Sequence, residues 1–301
     1  MTRPDWIAVD WGTSHLRAYA MTDQGEILED AQSDKGMGAL DSDQFETALL
    51  ALISDWLDEH TTTPVIACGM VGAKQGWAEA PYRAVPCTPT DAGMLRAPVG
   101  CPRLNVSIIS GLSQASPPDV MRGEETQIAG YLAKNPDFDG IICLPGTHSK
   151  WVQISAGEVV SFKTFMTGEI FALLSKQSVL RHSIAESGWD TDAFEAALAD
   201  AISKPQQFAA RLFSLRASAL LDGLTPAAAR ARLSAALIGI ELAAARPYWL
   251  GQQVVLIGAD PLSQIYDAAL TAQGLTPTRE DAQTMTLAGL SSAYLSTTEA
   301  S

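Results

Sequence analysis

Twice in this sequence an apolar strand runs into a Gly-Thr turn and returns along a second strand. The stretches "IAVDWGTSHLRAYAM" (7–21) and "GIICLPGTHSKWVQIS" (140–155) align so that Gly12-Thr13 falls on Gly146-Thr147, and a further glycine follows 13 residues on in the first and 11 in the second. A repeated strand–turn–hairpin unit constrains the fold strongly, because each copy needs its own sheet to bury its strands; two related halves are expected. A Gly-Thr turn leaves backbone N–H groups and a hydroxyl where a ligand can approach closely, which suits a phosphate. Asp10, at the end of a buried strand, is costly unless a cation or a donor meets it there. Its expected work is to hold Mg²⁺ through water, since that ion keeps several waters and takes only one or two carboxylates. Singly, Asp10 and Ser14 would do no more than cap a turn; the repetition favours a ligand.

Between and after the two copies, strand and helix patterns alternate, which predicts an α/β fold with mixed or parallel sheets. Strands are read at 6–10, 16–21 and 26–29, with Gly25 in the connecting turn, and a helix at 45–58 with Asp41 or Ser42 as its N-cap. "PVIACGMVG" is a further strand and "LNVSIISGL" another. From Gly72 to Pro102 periodicity is lost, which marks a functional loop region. "SPPDVMRGEETQIAGYLAKNP" reads as a loop entering a helix, and the domain boundary is placed there, giving halves 1–120 and 121–301. Helices follow over 192–202, 206–221 and 225–245, and "QQVVLIGADPLSQIYDAALTAQG" is a strand, a Gly-Ala turn and a helix.

With 301 residues, either half can bury a core without disulfides or metal. The four cysteines, Cys68, Cys87, Cys101 and Cys143, show no C-x-x-C spacing and are expected as free thiols in a reducing cytoplasm. A net charge of −14 without a Lys/Arg cluster argues against nucleic acid, and no apolar run is long enough to span a membrane. The four histidines make no metal-ligand spacing. There is no G-x-x-x-x-G-K-[ST], no G-x-G-x-x-G after a strand and no G-x-S-x-G, which sets aside P-loop kinases, dinucleotide folds and the α/β-hydrolase elbow.

"VDWGTSHLRA", "LPGTHSKWV" and "VVLIGADPL" resemble the two phosphate motifs and the adenosine motif of the sugar kinase, Hsp70 and actin superfamily. "GMVGAKQGWAEAPY", "RGEETQIAGYL", "FKTFMTGEIFALL" and "LFSLRASALL" resemble the 2-dehydro-3-deoxygalactonokinase family, almost from end to end. The resemblance implies two ribonuclease-H-like domains with mixed sheets flanked by helices and ATP in the interdomain cleft. It implies transfer of the γ-phosphoryl group of ATP, with Mg²⁺, to the 6-hydroxyl of 2-dehydro-3-deoxy-D-galactonate, in galactonate catabolism. The partners implied are small molecules, with no nucleic acid or membrane; a monomer or a homodimer is left open. ATP is assigned to Gly12, Thr13, Ser14, Arg17, Gly146, Thr147, His148, Ser149, Lys150, Gly258 and Ala259.

Related kinases take their base from a carboxylate opening the interdomain helix, commonly in a Gly-Asp pair. Here Gly123-Glu124 stands in that place, so Glu124 is the first choice for the base, then Glu125, then Asp10; the alternative for both glutamates is to complement a helix dipole. Arg122, Arg83 and Lys163 are candidates for the substrate carboxylate. Gly36, Met37, Gly38 and Met70 would bring backbone close to the sugar acid, with Trp77 and Tyr82 as walls. The alternative functions are a kinase for the gluconate-derived epimer and a non-catalytic sugar-acid sensor.

Overall fold

The computed structural model describes residues 3–91 and 93–299. The chain runs β1 (Trp6–Trp11), β2 (Leu16–Met21), β3 (Ile27–Ser33), α1 (Phe45–Ile53), β4 (Thr63–Gly69), the two-residue β5 (Arg83–Ala84) and β6 (Leu95–Arg96), β7 (Leu104–Ile108), β8 (Leu112–Ala115), β9 (Pro118–Met121) and α2 (Glu124–Lys134). It continues with β10 (Gly140–Leu144), β11 (Ser149–Ser155), β12 (Glu158–Phe165), α3 (Thr167–Lys176), α4 (Thr191–Ser203), α5 (Phe208–Leu221), α6 (Pro226–Ala244) and α7 (Arg246–Trp249). β13 (Val254–Gly258), α8 (Asp260–Thr271), β14 (Thr278–Asp281) and α9 (Ala282–Glu299) complete it.

One sheet has the order β3-β2-β1-β4-β7-β6 and another β12-β11-β10-β13-β14; β5, β8 and β9 form a small third sheet. Without the edge strand β6, the two large sheets share one order: a hairpin's outer strand, its inner strand, the opening strand, then two crossover strands. The crossover pairs β1–β4, β4–β7, β10–β13 and β13–β14 are parallel, and β1–β2 and β2–β3 antiparallel. The repeat legible in the sequence is therefore a repeat of sheet topology, that of a ribonuclease-H-like fold with mixed sheets flanked by helices. Gly25 (φ +82°) and Gly157 (φ +75°) turn the two hairpins in the left-handed region that glycine tolerates.

By packing, the chain forms two compact units: residues up to Asp139 with 154–161 and the segment from Ala282 on, and 140–153 with 162–281. This differs in kind from a division by sequence repeat at 120/121, because α2 and α9 follow that boundary yet belong to the first unit, α9 packing on β1 and β4 and α2 on α9.

In the first unit, the period-2 alternation of β1 sends Ile7, Val9 and Trp11 into a core with Phe45, Leu49 and Ile53 of α1. Trp6 and Ala8 point the other way, into a core with Leu290, Ala293 and Tyr294 of α9. By the same parity Asp10 belongs to the α9 face. Glycines let α2 and α9 cross closely: a Cβ on Gly130 would lie 2.0 Å from the Met285 carbonyl oxygen, and one on Gly289 1.9 Å from that of Thr126. In the second unit, Ile141, Cys143, Trp151 and Leu256 of the sheet pack with Phe194 and Leu198 of α4, Ile238 and Leu242 of α6 and Tyr266 of α8.

Local expectations met several differences. The helix read over 45–58 ends at Ile53 and tightens into a 3₁₀ turn at 54–56. Its N-cap is Gln44 without a side-chain cap, rather than Asp41 or Ser42; the Asp41 carbonyl accepts from Gln44 N at 2.9 Å, so a turn ahead of the helix uses those residues. The loop read before α2 contains β9, which pairs antiparallel with β8. The aperiodic 72–102 region is pinned by Trp77, whose Nε1 donates to the Pro98 carbonyl at 3.1 Å. All four cysteines are free thiols.

Candidate active site

In the first unit, the turn after β1 closes with Gly12 N donating to His15 O at 2.9 Å, and leaves the Thr13 and Ser14 side chains exposed. The Lys35–Gly38 loop docks on it: Met37 N donates to Gly12 O at 3.0 Å and Gly38 N to Thr13 O at 2.9 Å. Gly36 makes this approach possible, since a Cβ there would lie 2.3 Å from the Ser14 carbonyl carbon. Asp10 faces Arg17 across the β1–β2 pair, and Arg17 Nη1 bonds Asp10 Oδ2 at 3.2 Å. Burial pushes the Asp10 carboxyl up and Arg17 partly offsets it.

The N-terminus of α2 abuts the ends of β1 and β4. Gly69 (φ +89°) lets the chain pass Trp11, as a Cβ there would be 2.8 Å from the Trp11 carbonyl oxygen, and the Cβ position of Gly123 (φ +108°) is 3.4 Å from Gly69 Cα. Glu125 is completely buried, and both its carboxylate oxygens accept from Gly123 N, at 2.8 and 2.7 Å. Burial first, and then the neighbouring charge of Glu124, push the Glu125 carboxyl up to about 7. The buried Cys68 thiol is raised well above its usual value by burial and then by the charges of Asp10 and Glu125. Glu124 is only half-buried, and its Oε2 accepts from Arg122 N at 3.1 Å.

The Arg122 guanidinium stacks on the Tyr82 ring at 4.3 Å and donates through Nη2 to the Ala80 carbonyl at 2.7 Å. Its Nε and Nη1 are buried and meet no hydrogen-bond acceptor among the described residues. Arg83 is engaged within its own loop, through Nη2 to the carbonyls of Thr88 and Pro89 and through Nη1 to Asp91 at 3.1 Å. Met70 opens the 3₁₀ turn after β4, and Trp77 packs in the core against Trp11 and Phe45. Tyr82 is exposed at the end of the aromatic loop.

In the second unit, the turn after β10 ends at Ser149 and Lys150, both buried on β11. The start of α3 lies against this turn: Glu169 N donates to Thr147 O at 3.0 Å, and a Cβ on Gly168 would be 2.4 Å from Gly146 O. His148 Nε2 pairs with Glu169 Oε2 at 2.5 Å, both exposed to solvent. Lys163 is exposed on β12, its ammonium 5.4 Å from the Phe165 ring centroid. Gly258 ends β13 where a Cβ would meet Ser263 Oγ at 2.6 Å, and Ala259 is the N-cap of α8.

A cavity of about 290 Å³ begins at Gly146 and Thr147 and continues past Thr167 and Gly168 between α3, α6 and α8. Phe171, Trp189, Leu262 and Ile265 give it apolar walls, and Arg230, which stacks on Phe171 at 5.0 Å, a cationic edge. Of the residues the sequence singled out, Gly146 and Thr147 line it. Its other walls were missed, for a physical reason: Arg230, Ser234, Leu237 and Ile238 recur at helical spacing, a pattern that in sequence reads as a core-facing stripe.

A family model described as 2-keto-3-deoxy-galactonokinase matches residues 10–293. A relative from Rhizobium meliloti (strain 1021), named "Probable 2-dehydro-3-deoxygalactonokinase", is 40% identical over 300 residues, covering 96% of this chain and 96% of its own. The 2-dehydro-3-deoxygalactonokinase of Escherichia coli (strain K12) is 36% identical over 291 residues, covering 95% of this chain and 96% of its own. A crystal structure from Sinorhizobium meliloti, provisionally named for the same enzyme, superimposes with a TM-score of 0.87 at 39% identity, covering 96% of this chain and 95% of its own.

Proposed function

The chain belongs to the 2-keto-3-deoxy-galactonokinase family, and from that membership we propose that it transfers the γ-phosphoryl group of ATP to the 6-hydroxyl of 2-dehydro-3-deoxy-D-galactonate. The observation that supports this reading most directly is the cavity that opens from the Gly146-Thr147 turn. It joins the Gly146-Thr147 turn to an apolar chamber of a volume suited to a nucleoside. In this reading the turn and the first residues of α3 meet the phosphates, while Trp189, Phe171, Leu262 and Ile265 enclose the base.

The first unit supplies the acid–base groups. Phosphoryl transfer asks of the protein alignment, charge neutralisation and a carboxylate to receive the hydroxyl proton. Glu124 is assigned as that base on geometry: it is accessible at the helix start, whereas both oxygens of the buried Glu125 are taken by Gly123 N. Glu125 instead closes the first turn of α2 on itself, through Gly123 N and the Thr126 hydroxyl. Arg122, with two buried nitrogens lacking acceptors, is assigned to the substrate carboxylate, whose oxygens would meet that deficit.

Asp10 suits Mg²⁺ held through water: its Oδ2 is paired with Arg17, and its carboxyl is already strained by burial. No group of three metal-ligating side chains occurs among the described residues, which fits an ion completed by waters and phosphate oxygens. When bound, that ion neutralises charge developing on the transferred phosphoryl group.

Coupled ADP release tests the function, with Mg-ATP and the galactonate-derived acid, the gluconate-derived acid, a plain hexose and no sugar. Turnover confined to the galactonate-derived acid is expected. Equal turnover with the hexose would refute the carboxylate assignment, and none with any acceptor would refute the kinase.

A further inference from the structure

Buried polar groups of the second unit converge on one carboxylate that none of the roles above uses. Glu241 on α6 is 1% exposed; it accepts from Trp151 Nε1 at 2.8 Å, from the Tyr266 hydroxyl at 2.7 Å and from the Thr167 hydroxyl. Donors from β11, α8 and α3 thus meet on a single acid. An ionised carboxylate is acceptor-only and serves all three; a protonated one would set its own O–H against one of them. Burial pushes the Glu241 carboxyl up, and the three bonds oppose that push.

The direction of the next bond follows from counting protons. Tyr266 has one hydroxyl proton and gives it to Glu241, so in the 2.9 Å contact between Ser149 Oγ and the Tyr266 hydroxyl the serine donates. The lone pairs of Ser149 then face the turn, where Gly146 N lies 3.5 Å from Oγ. Thr167, also committed to Glu241, is the first residue of α3 and lines the same cavity as Gly146 and Tyr266. The hydroxyls of Tyr266, Thr167 and Ser149 thus have their protons pointing inward, toward the buried charge.

We propose that Glu241 is a positioning residue for the nucleotide phosphates: its negative charge fixes the proton direction of Tyr266, Ser149 and Thr167 and so the geometry of the 146–149 turn and of the start of α3. This rests on the nucleotide reading given above. Glu241 itself touches no substrate. In Glu241→Gln the volume is kept and one acceptor becomes a donor. Trp151 can only donate and so retains the amide oxygen, which leaves the amide NH₂ facing Tyr266 and Thr167. Tyr266 must then accept and pass its proton to Ser149, whose own proton turns away from Tyr266 into one of the two positions that held its lone pairs, the one facing Gly146 N among them.

The test is calorimetric titration of wild type, E241Q and Y266F with Mg-ATP and, separately, with adenosine, after circular dichroism has shown each variant folded. ATP affinity is expected to fall about tenfold in E241Q, the worth of one hydrogen bond, and by a smaller factor in Y266F, with adenosine affinity unchanged. Undiminished ATP affinity in the folded variants would overturn the proposal. So would equal losses for ATP and adenosine, which would mark a general loosening of the unit. If E241Q does not fold, Y266F decides, because it keeps the ring and removes the one hydroxyl that joins Glu241 to Ser149. A wild type that binds neither ligand would refute the nucleotide reading itself, a result distinct from the other two.

Discussion

Replacing Glu125 with glutamine should change how stability responds to pH, and the size of the change follows from its burial. An acid whose carboxyl is raised from 4.5 to about 7 in the fold holds its proton more tightly native than unfolded. Between those values the native state binds more protons, so stability falls as pH rises from about 4.5 through about 7 and is level above. A displacement of that size corresponds to about 3 kcal/mol for a group with no solvent screening. Glutamine is neutral throughout and still offers one oxygen to Gly123 N. Urea unfolding of wild type and E125Q, from pH about 4.5 to about 8, should show the variant gaining about 3 kcal/mol relative to wild type across the range. Any constant offset measures the altered hydrogen bonding at Gly123. A difference that does not vary with pH, or that varies in the opposite sense, would refute the argument that Glu125 is ionised at a cost.

Glu124→Gln is expected to lower kcat by roughly 10²–10⁴ while ATP binding persists, and a near-normal rate would move the base elsewhere. Gly289→Ala places a methyl 1.9 Å from a backbone oxygen of α2 and should cost about 1–3 kcal/mol or more by forcing the helices apart; a wild-type Tm would contradict that packing. Trp189→Ala removes one wall of the cavity and should raise KM for ATP about tenfold while KM for the sugar acid holds. A rise in the sugar-acid KM alone would place the acceptor, rather than the nucleotide, in this cavity.

What the sequence made legible was whatever repeats or alternates. The two hairpins were readable because strand burial has a period of two and a turn that needs glycine shows it; Gly25 and Gly157 both lie at positive φ. The Gly146-Thr147 turn was readable because it repeats Gly12-Thr13 at the end of an apolar strand, although a Cβ on Gly146 would meet nothing within 4 Å. The roles of Glu124 and Glu125 were not separable, since both stand in the first turn of α2 and only the fold reveals that one side chain is buried and the other half-exposed. Trp77 reads in the sequence as a wall of the sugar-acid site, and only its contacts with Trp11 and Phe45 show that it packs in the core. The Glu241 network was invisible, because Trp151, Thr167, Glu241 and Tyr266 are brought together from four elements that no local pattern links.

The packing of α9 also sets an order of events during synthesis. The face of β1 that carries Trp6 and Ala8 is covered by Leu290, Ala293 and Tyr294, and α2 is crossed by the same helix. Roughly 150 residues separate α2 from α9 in the sequence, so a ribosome working at about 5–20 residues per second leaves that apolar face uncovered for on the order of 10 s. The second unit, translated within that interval, has its own sheet and helices to collapse on. The opening strands of the chain are thus among the last to be sealed, and a nascent polypeptide stalled before α9 presents to chaperones an apolar surface that the finished protein buries.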